Sequence, residues 1–233
     1  MTTFSPSRGE PIVLPHSQEA QVLGYFALAM ALTLLGTWLG IRFAAVLFSS
    51  GILLLFLLAE LAIVFTSRFW AQHSPLNLIL FGIFPLLSGI TITPYILSVV
   101  DTYVNGASIL VNAIASTVFM AAAAAFFART TRWNLAVLGR ALLFALLGLL
   151  FMGLLQIFFP SLQGGSTEVF LSGAGVVIFA LFTAYDVQRV QVLARTGANP
   201  FQLALSLYLD LFNLFLYVLR FMVAISGNRR RSW

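Results

Sequence analysis

The chain has no cysteine, which excludes disulfides, thiolate metal sites and cysteine nucleophiles and leaves the redox state of its compartment unconstrained. It has no lysine: its twelve basic residues are all arginine, set against seven acids for a formal charge of +5. Charge of either sign is scarce, at 8% of residues. No GxSxG, HExxH, Walker or dinucleotide motif occurs, so none of the common catalytic signatures is present and no cofactor is implied. No basic stretch is interleaved with aromatics, which argues against nucleic acid as a partner. What remains is apolar. With 61% hydrophobic residues and a mean hydropathy of +1.01, the chain has more apolar surface than a soluble core of its size can hide, and a bilayer has to be its solvent.

Stretches of about 20 apolar residues, the length that spans a bilayer, occur at 22–41, 44–66, 76–98, 108–128, 137–159, 169–190 and 202–224. Backbone groups in lipid must bond within their own segment, so each is predicted to be a helix. The expected fold is therefore an all-α seven-helix membrane bundle over residues 21–226, with a flexible polar tail at 1–20 and a basic tail at 227–233. Pro85 and Pro94 fall inside the third segment, where each removes a backbone donor. Gly36 and Gly40 form a GxxxG in the first, which suits close helix packing.

Arginine placement orients the chain. With the N-terminus cytoplasmic, Arg8, Arg68, Arg129, Arg132, Arg140, Arg189 and Arg195 fall inside against Arg42 outside, seven to one through the sixth helix. The outer loops then carry Asp101 and Glu168. Arg229, Arg230 and Arg231 run against this pattern: either that tail is translocated, or the seventh helix is re-entrant or shielded by its neighbours. Asp210, Asn213 and Arg220 make that helix the most polar of the seven, which suits a central position away from lipid.

Three acids, Glu60, Asp186 and Asp210, lie inside hydrophobic segments, where an ionisable group marks a functional site or a required ion pair. The sixth helix runs on to Arg195, Gly197 stops it and Pro200 opens the seventh. Asp186 and Asp210 stand about nine and ten residues from this turn, or ~14 and ~15 Å at the helical rise. An antiparallel hairpin brings them to one depth, where two carboxylates share a proton and titrate as a pair. The alternative is that Asp186 pairs only with Arg189, one turn on, while Asp210 bonds a neighbouring helix. Glu60 and Arg220 are expected to form a structural ion pair between the second and seventh helices. His16 and His73 are expected to be solvated.

With these residues in view, the chain resembles the Bax inhibitor-1 family, the transmembrane Bax-inhibitor-motif proteins, and in particular its bacterial calcium-leak members. The resemblance rests on Ala204-Leu-Ser-Leu-Tyr-Leu-Asp-Leu-Phe-Asn-Leu-Phe with Leu219-Arg-Phe beyond it, Tyr185-Asp186, the 24-residue separation of the two Asp, Ser88-Gly-Ile-Thr91 before Pro94, and Glu60 28 residues upstream of Ser88. It implies a bacterial inner-membrane protein with a central seventh helix, in which Asp186 and Asp210 sense pH and bind calcium near the cytoplasmic mouth and Tyr185, Tyr208 and Asn213 support them. It also implies a latch arginine from the end of the second helix. The aligned position is Ala71, so Arg68, one turn earlier, is the candidate latch.

The leading reading is thus a passive, pH-gated calcium leak, with calcium and protons as its ions and the bilayer as its surroundings. Two carboxylates supply fewer than the six to eight oxygens that calcium takes, so backbone carbonyls and water complete the shell. A second reading is a non-transporting modulator of a membrane-bound protease, its partner. A third is an intramembrane aspartyl protease, but that class carries Gly-x-Gly-Asp where this chain has Leu207-Tyr-Leu-Asp, and its Pro-Ala-Leu element is missing; no enzymatic activity is expected. The arginine pattern makes a direct prediction. A cysteine introduced at Ser67 or Thr196 of this cysteine-free chain should resist an impermeant maleimide applied outside intact cells, and external labelling would invert the topology.

Overall fold

The computed structural model describes residues 18–159, 162, 164–193 and 198–226. The expected tails and turn signals at His16, Arg195, Gly197 and Arg229 to Arg231 lie outside them, apart from the start of the first helix and Ser226. The described residues form helices and no strand: α1 (Gln18–Arg42), α2 (Ala44–Ser49), α3 (Ile52–Phe65), α4 (Ser67–Trp70), α5 (Leu76–Thr102), α6 (Gly106–Thr130), a 3-10 turn at Leu135–Leu138, α7 (Gly139–Phe158), α8 (Gly165–Leu193) and α9 (Pro200–Ile225).

Six helices are long and apolar enough to cross a membrane: α1, α5, α6, the segment Leu135–Phe158 that contains α7, α8 and α9. The expected second span, 44–66, is not one helix. It breaks at Ser50 and Gly51, where Gly51 has φ 68° and opens α3 in the left-handed conformation. Glycine adopts that conformation without steric cost, and Ser49-Ser50-Gly51 was a helix-stop signal inside an apolar run. The remaining α3 has 14 residues, about 21 Å of helix against a hydrocarbon core of about 30 Å. The seven full spans expected from hydropathy are therefore six spans and one short apolar helix.

The helices meet through small residues. A Cβ on Gly36 or on Gly89 would strike backbone of the facing helix, Leu86 carbonyl oxygen and Thr33 carbonyl oxygen respectively, so α1 and α5 touch backbone to backbone. Van der Waals contact at this range replaces the hydrophobic drive that lipid cannot provide. Pro85 and Pro94 sit inside α5 without ending it, and Pro85 is buried against neighbours. α9 packs on α8, α1, α6 and α5 and runs unbroken for 26 residues, long enough to cross a membrane. The outer surface is apolar, with Leu34, Phe119, Phe144 and Phe170 each more than 70% exposed.

Side-chain bonds gather the arginine-bearing ends at one face. Arg129 at the end of α6 pairs with Glu19 at the start of α1 at 2.6 Å. Gln188 near the end of α8 accepts from Leu135 N at 2.7 Å and donates to Trp133 O at 2.9 Å. Asn199 donates from Nδ2 to Ala71 O at 2.7 Å, and its Oδ1 caps α9 by accepting from Phe201 N and Gln202 N.

The α1–α5 contact yields a paired test. Gly89→Val should cost ~1 to 3 kcal/mol by overpacking and lower the melting temperature in detergent by roughly 5 °C. Gly24, whose added Cβ meets nothing within 4 Å, should tolerate Ala without loss. Equal stability of both variants would contradict the close approach.

Candidate functional site

Asp186 lies seven residues before the end of α8 and Asp210 ten residues into α9. The antiparallel hairpin brings the two carboxyl groups face to face, and their relative exposures are 3% and 7%. Asp186 Oδ2 and Asp210 Oδ2 are both buried with no donor among the described residues. Two acceptor oxygens cannot satisfy one another, so a proton, a cation or a donating water completes the pair.

Arg189 stands on the membrane-surface side of this pair, with its Nη1 3.6 Å from Asp186 Oδ1 and its side chain 42% exposed. The two alternatives for Asp186, contact with Asp210 or pairing with Arg189, therefore hold together. The Ser206 hydroxyl, one turn before Asp210 on α9, also faces Asp186. Arg68 is exposed on α4 and makes no contact with either Asp among the described residues. The cation beside the pair is Arg189. Ala71, in the position of the family's latch, is buried and receives Asn199 instead. His73 is exposed, its Nδ1 2.7 Å from Phe69 O.

A cavity of about 530 Å³ opens against the pair, lined by Glu60, Ser88, Asn213 and Tyr217 as well as Asp186 and Asp210. Tyr185 is on its wall. Asn213 donates to Leu209 O at 2.7 Å and lines the cavity. Tyr208 is fully buried and shares a 2.8 Å hydrogen bond with Thr33, tying α9 to α1. Among the described residues no three His, Asp or Glu side chains converge on one point, so a cation here would be held by two carboxylates and water rather than in a closed cage.

The expected Glu60–Arg220 pair is not formed. Glu60 accepts a 3.1 Å hydrogen bond from Thr91 Oγ1 on α5. Arg220 donates from Nε and Nη2 to the two carboxylate oxygens of Glu168 at the start of α8, and from Nη2 to Gln156 Oε1 on α7 at 2.7 Å. The reason is depth. Glu60 lines the cavity beside Asp210, whereas Arg220 is ten residues further along α9, a displacement of about 15 Å. Glu168, expected in an outer loop, lies in the first turn of α8. A glutamate just before the apolar run at 169–190, with Gln156 near the end of the run at 137–159, is the sequence signal for this role.

The profile of the family described as Inhibitor of apoptosis-promoting Bax1 matches residues 16–228. Inner membrane protein YbhL of Escherichia coli K12 is 30% identical over 244 residues, covering 96% of this chain and 98% of its own. An uncharacterized protein of Campylobacter jejuni is 28% identical over 210 residues, 89% of this chain and 88% of its own. One from Helicobacter pylori strain 26695 is 30% identical over 206 residues, 88% and 85%. This chain has six apolar helices of spanning length, in keeping with a multi-pass membrane protein similar to an inner membrane protein.

The corrected pairing is open to a double-mutant cycle in detergent. Arg220→Met or Glu168→Gln should each cost about 2 kcal/mol, between the values for surface and fully buried pairs, and the double variant should cost less than their sum. Glu60→Gln and Arg220→Met should be additive. Coupling of Arg220 to Glu60 instead of Glu168 would restore the pairing first expected.

Proposed function

The chain belongs to the Bax inhibitor-1 family, and on that premise we propose that it is a passive, pH-sensitive calcium leak gated by Asp186 and Asp210. One observation carries the reading: two buried carboxyls face each other with an unpartnered oxygen on each, at the end of a cavity that continues along α9 to Asn213 and Tyr217. A proton and a divalent cation both satisfy such a pair, so they compete for it.

The charged and titratable groups that face the pair are Arg189 from α8, Glu60 across the cavity from α3, and the phenols of Tyr185 and Tyr217. With one shared proton the pair carries a single negative charge, which Arg189 balances while spanning the last turn of α8. A second proton makes the pair neutral and removes the reason for Arg189 to stay. The packing of α8 against α9 around the pair then loosens, and water and cation gain access to the cavity. Leak on this account rises as pH falls. Calcium is cargo throughout. It passes the pair with most of its water shell, because the protein oxygens there are too few to replace it.

Flux of calcium from proteoliposomes of the purified protein, followed across pH, tests this. The wild type should leak more on acidification, by up to roughly tenfold per pH unit where a single proton controls the step. Asp186→Asn and Asp210→Asn, which keep the shape and remove the shared proton, should each flatten the profile. A wild-type profile in either variant would end the dyad mechanism.

A further inference from the structure

We propose that the arginine-rich face carries a binding site for the phosphate headgroup of an anionic lipid, in the recess between the C-terminal ends of α6 and α8. The recess is about 650 Å³ and is bordered by Arg129, Arg132 and Arg189. These three arginines are not equivalent. Arg129 is engaged by Glu19 at 2.6 Å, and Arg189 leans on Asp186 at 3.6 Å. Arg132 is exposed and has no partner among the described residues. Arginine presents a planar fork that grips phosphate oxygens in pairs, which a lysine does not.

The recess is built rather than incidental. Gln188 bonds both Trp133 O and Leu135 N, which clamps the loop carrying Arg132 and Trp133 against α8. Asn134 accepts from Ala136 N at 3.0 Å and fixes the turn that follows. Trp133 is 76% exposed at the rim, where an aromatic ring beside arginines matches the headgroup level of a bilayer. Ala128, Ala136, Val192 and Leu193 add an apolar stretch to the wall beside Thr131 and Gln191, and Phe126 on α6 is 71% exposed. A ligand with an anionic head and an apolar tail fits both parts of this surface. A free phosphate uses only the first.

The site is joined to the acid pair by one residue. Arg189 lines both the recess and the cavity of Asp186 and Asp210, so headgroup and carboxylate compete for a single guanidinium. This competition is a matter of binding, and it stands or falls independently of calcium flux.

The test is retention of phosphatidylglycerol against phosphatidylcholine by the purified, delipidated protein given an equal mixture, counted by native mass spectrometry. The wild type should favour the anionic lipid by roughly fivefold or more, the attraction of one arginine near a charged headgroup. Arg132→Gln, at an exposed position where folding is not at stake, should lose this preference, whereas Arg42→Gln at the opposite end of α1 should keep it. Asp186→Asn releases Arg189 and should strengthen the preference. Equal retention of both lipids by the wild type, or an undiminished preference in Arg132→Gln, would overturn the site. Abolition of the preference by excess inorganic phosphate would reassign it to a free anion, and no change in Asp186→Asn would remove the link to the acid pair.

Discussion

Charge inside a membrane bundle has to be neutralised where it stands, because neither lipid nor packed helices can solvate it. Each buried polar group in this chain answers that constraint differently. Glu168 and Arg220 cancel one another, with Gln156 bonded to the same guanidinium. Glu60 relies on the hydroxyl of Thr91 and on the cavity it faces. Asp186 and Asp210 have like charge and face each other, so protein groups alone cannot balance them. Arg189 stands at the edge 3.6 Å from Asp186 Oδ1, and on the proposed reading a shared proton or a cation offsets the remaining charge. That incompleteness sets this site apart from the Glu168–Arg220 site, which is closed.

The surrounding architecture holds the incomplete site in place. Backbone contact between α1 and α5 through Gly36 and Gly89 fixes one wall, and the Tyr208–Thr33 bond fastens α9 to it. At the start of α9, Asn199 both caps the helix and grips Ala71, so α9 is tethered to the end of α4. The far end of α9 is anchored by Arg220. α9 is thus held near one end by a satisfied ion pair and at the other by neutral hydrogen bonds.

Much of this was legible in the sequence. The hairpin depth argument placed Asp186 opposite Asp210 because helix rise is fixed and one short turn sets the register. Pro200 announced the start of α9, and Gly36 and Gly40 announced a close contact without naming its partner helix. Hydropathy failed at 44–66, since a sliding window averages across Gly51, whose positive φ is a backbone property. The Glu60–Arg220 assignment failed because charge complementarity gives no depth: the two side chains lie at different levels of the bundle, and Glu168 was nearer. Arg189 is legible as an i+3 neighbour of Asp186, but spacing alone sets local pairing against the dyad, whereas one carboxyl group makes both contacts.

The central claim is that Asp186 and Asp210 hold one proton between them, and infrared difference spectroscopy on the purified protein in lipid reads it most directly. The account predicts a protonated-carboxyl stretch at neutral pH that shifts in deuterium oxide and disappears or moves in both Asp186→Asn and Asp210→Asn, while Glu168→Gln leaves it in place. A spectrum with no protonated carboxyl at neutral pH, or one whose band survives unchanged in either Asp variant, would contradict the account.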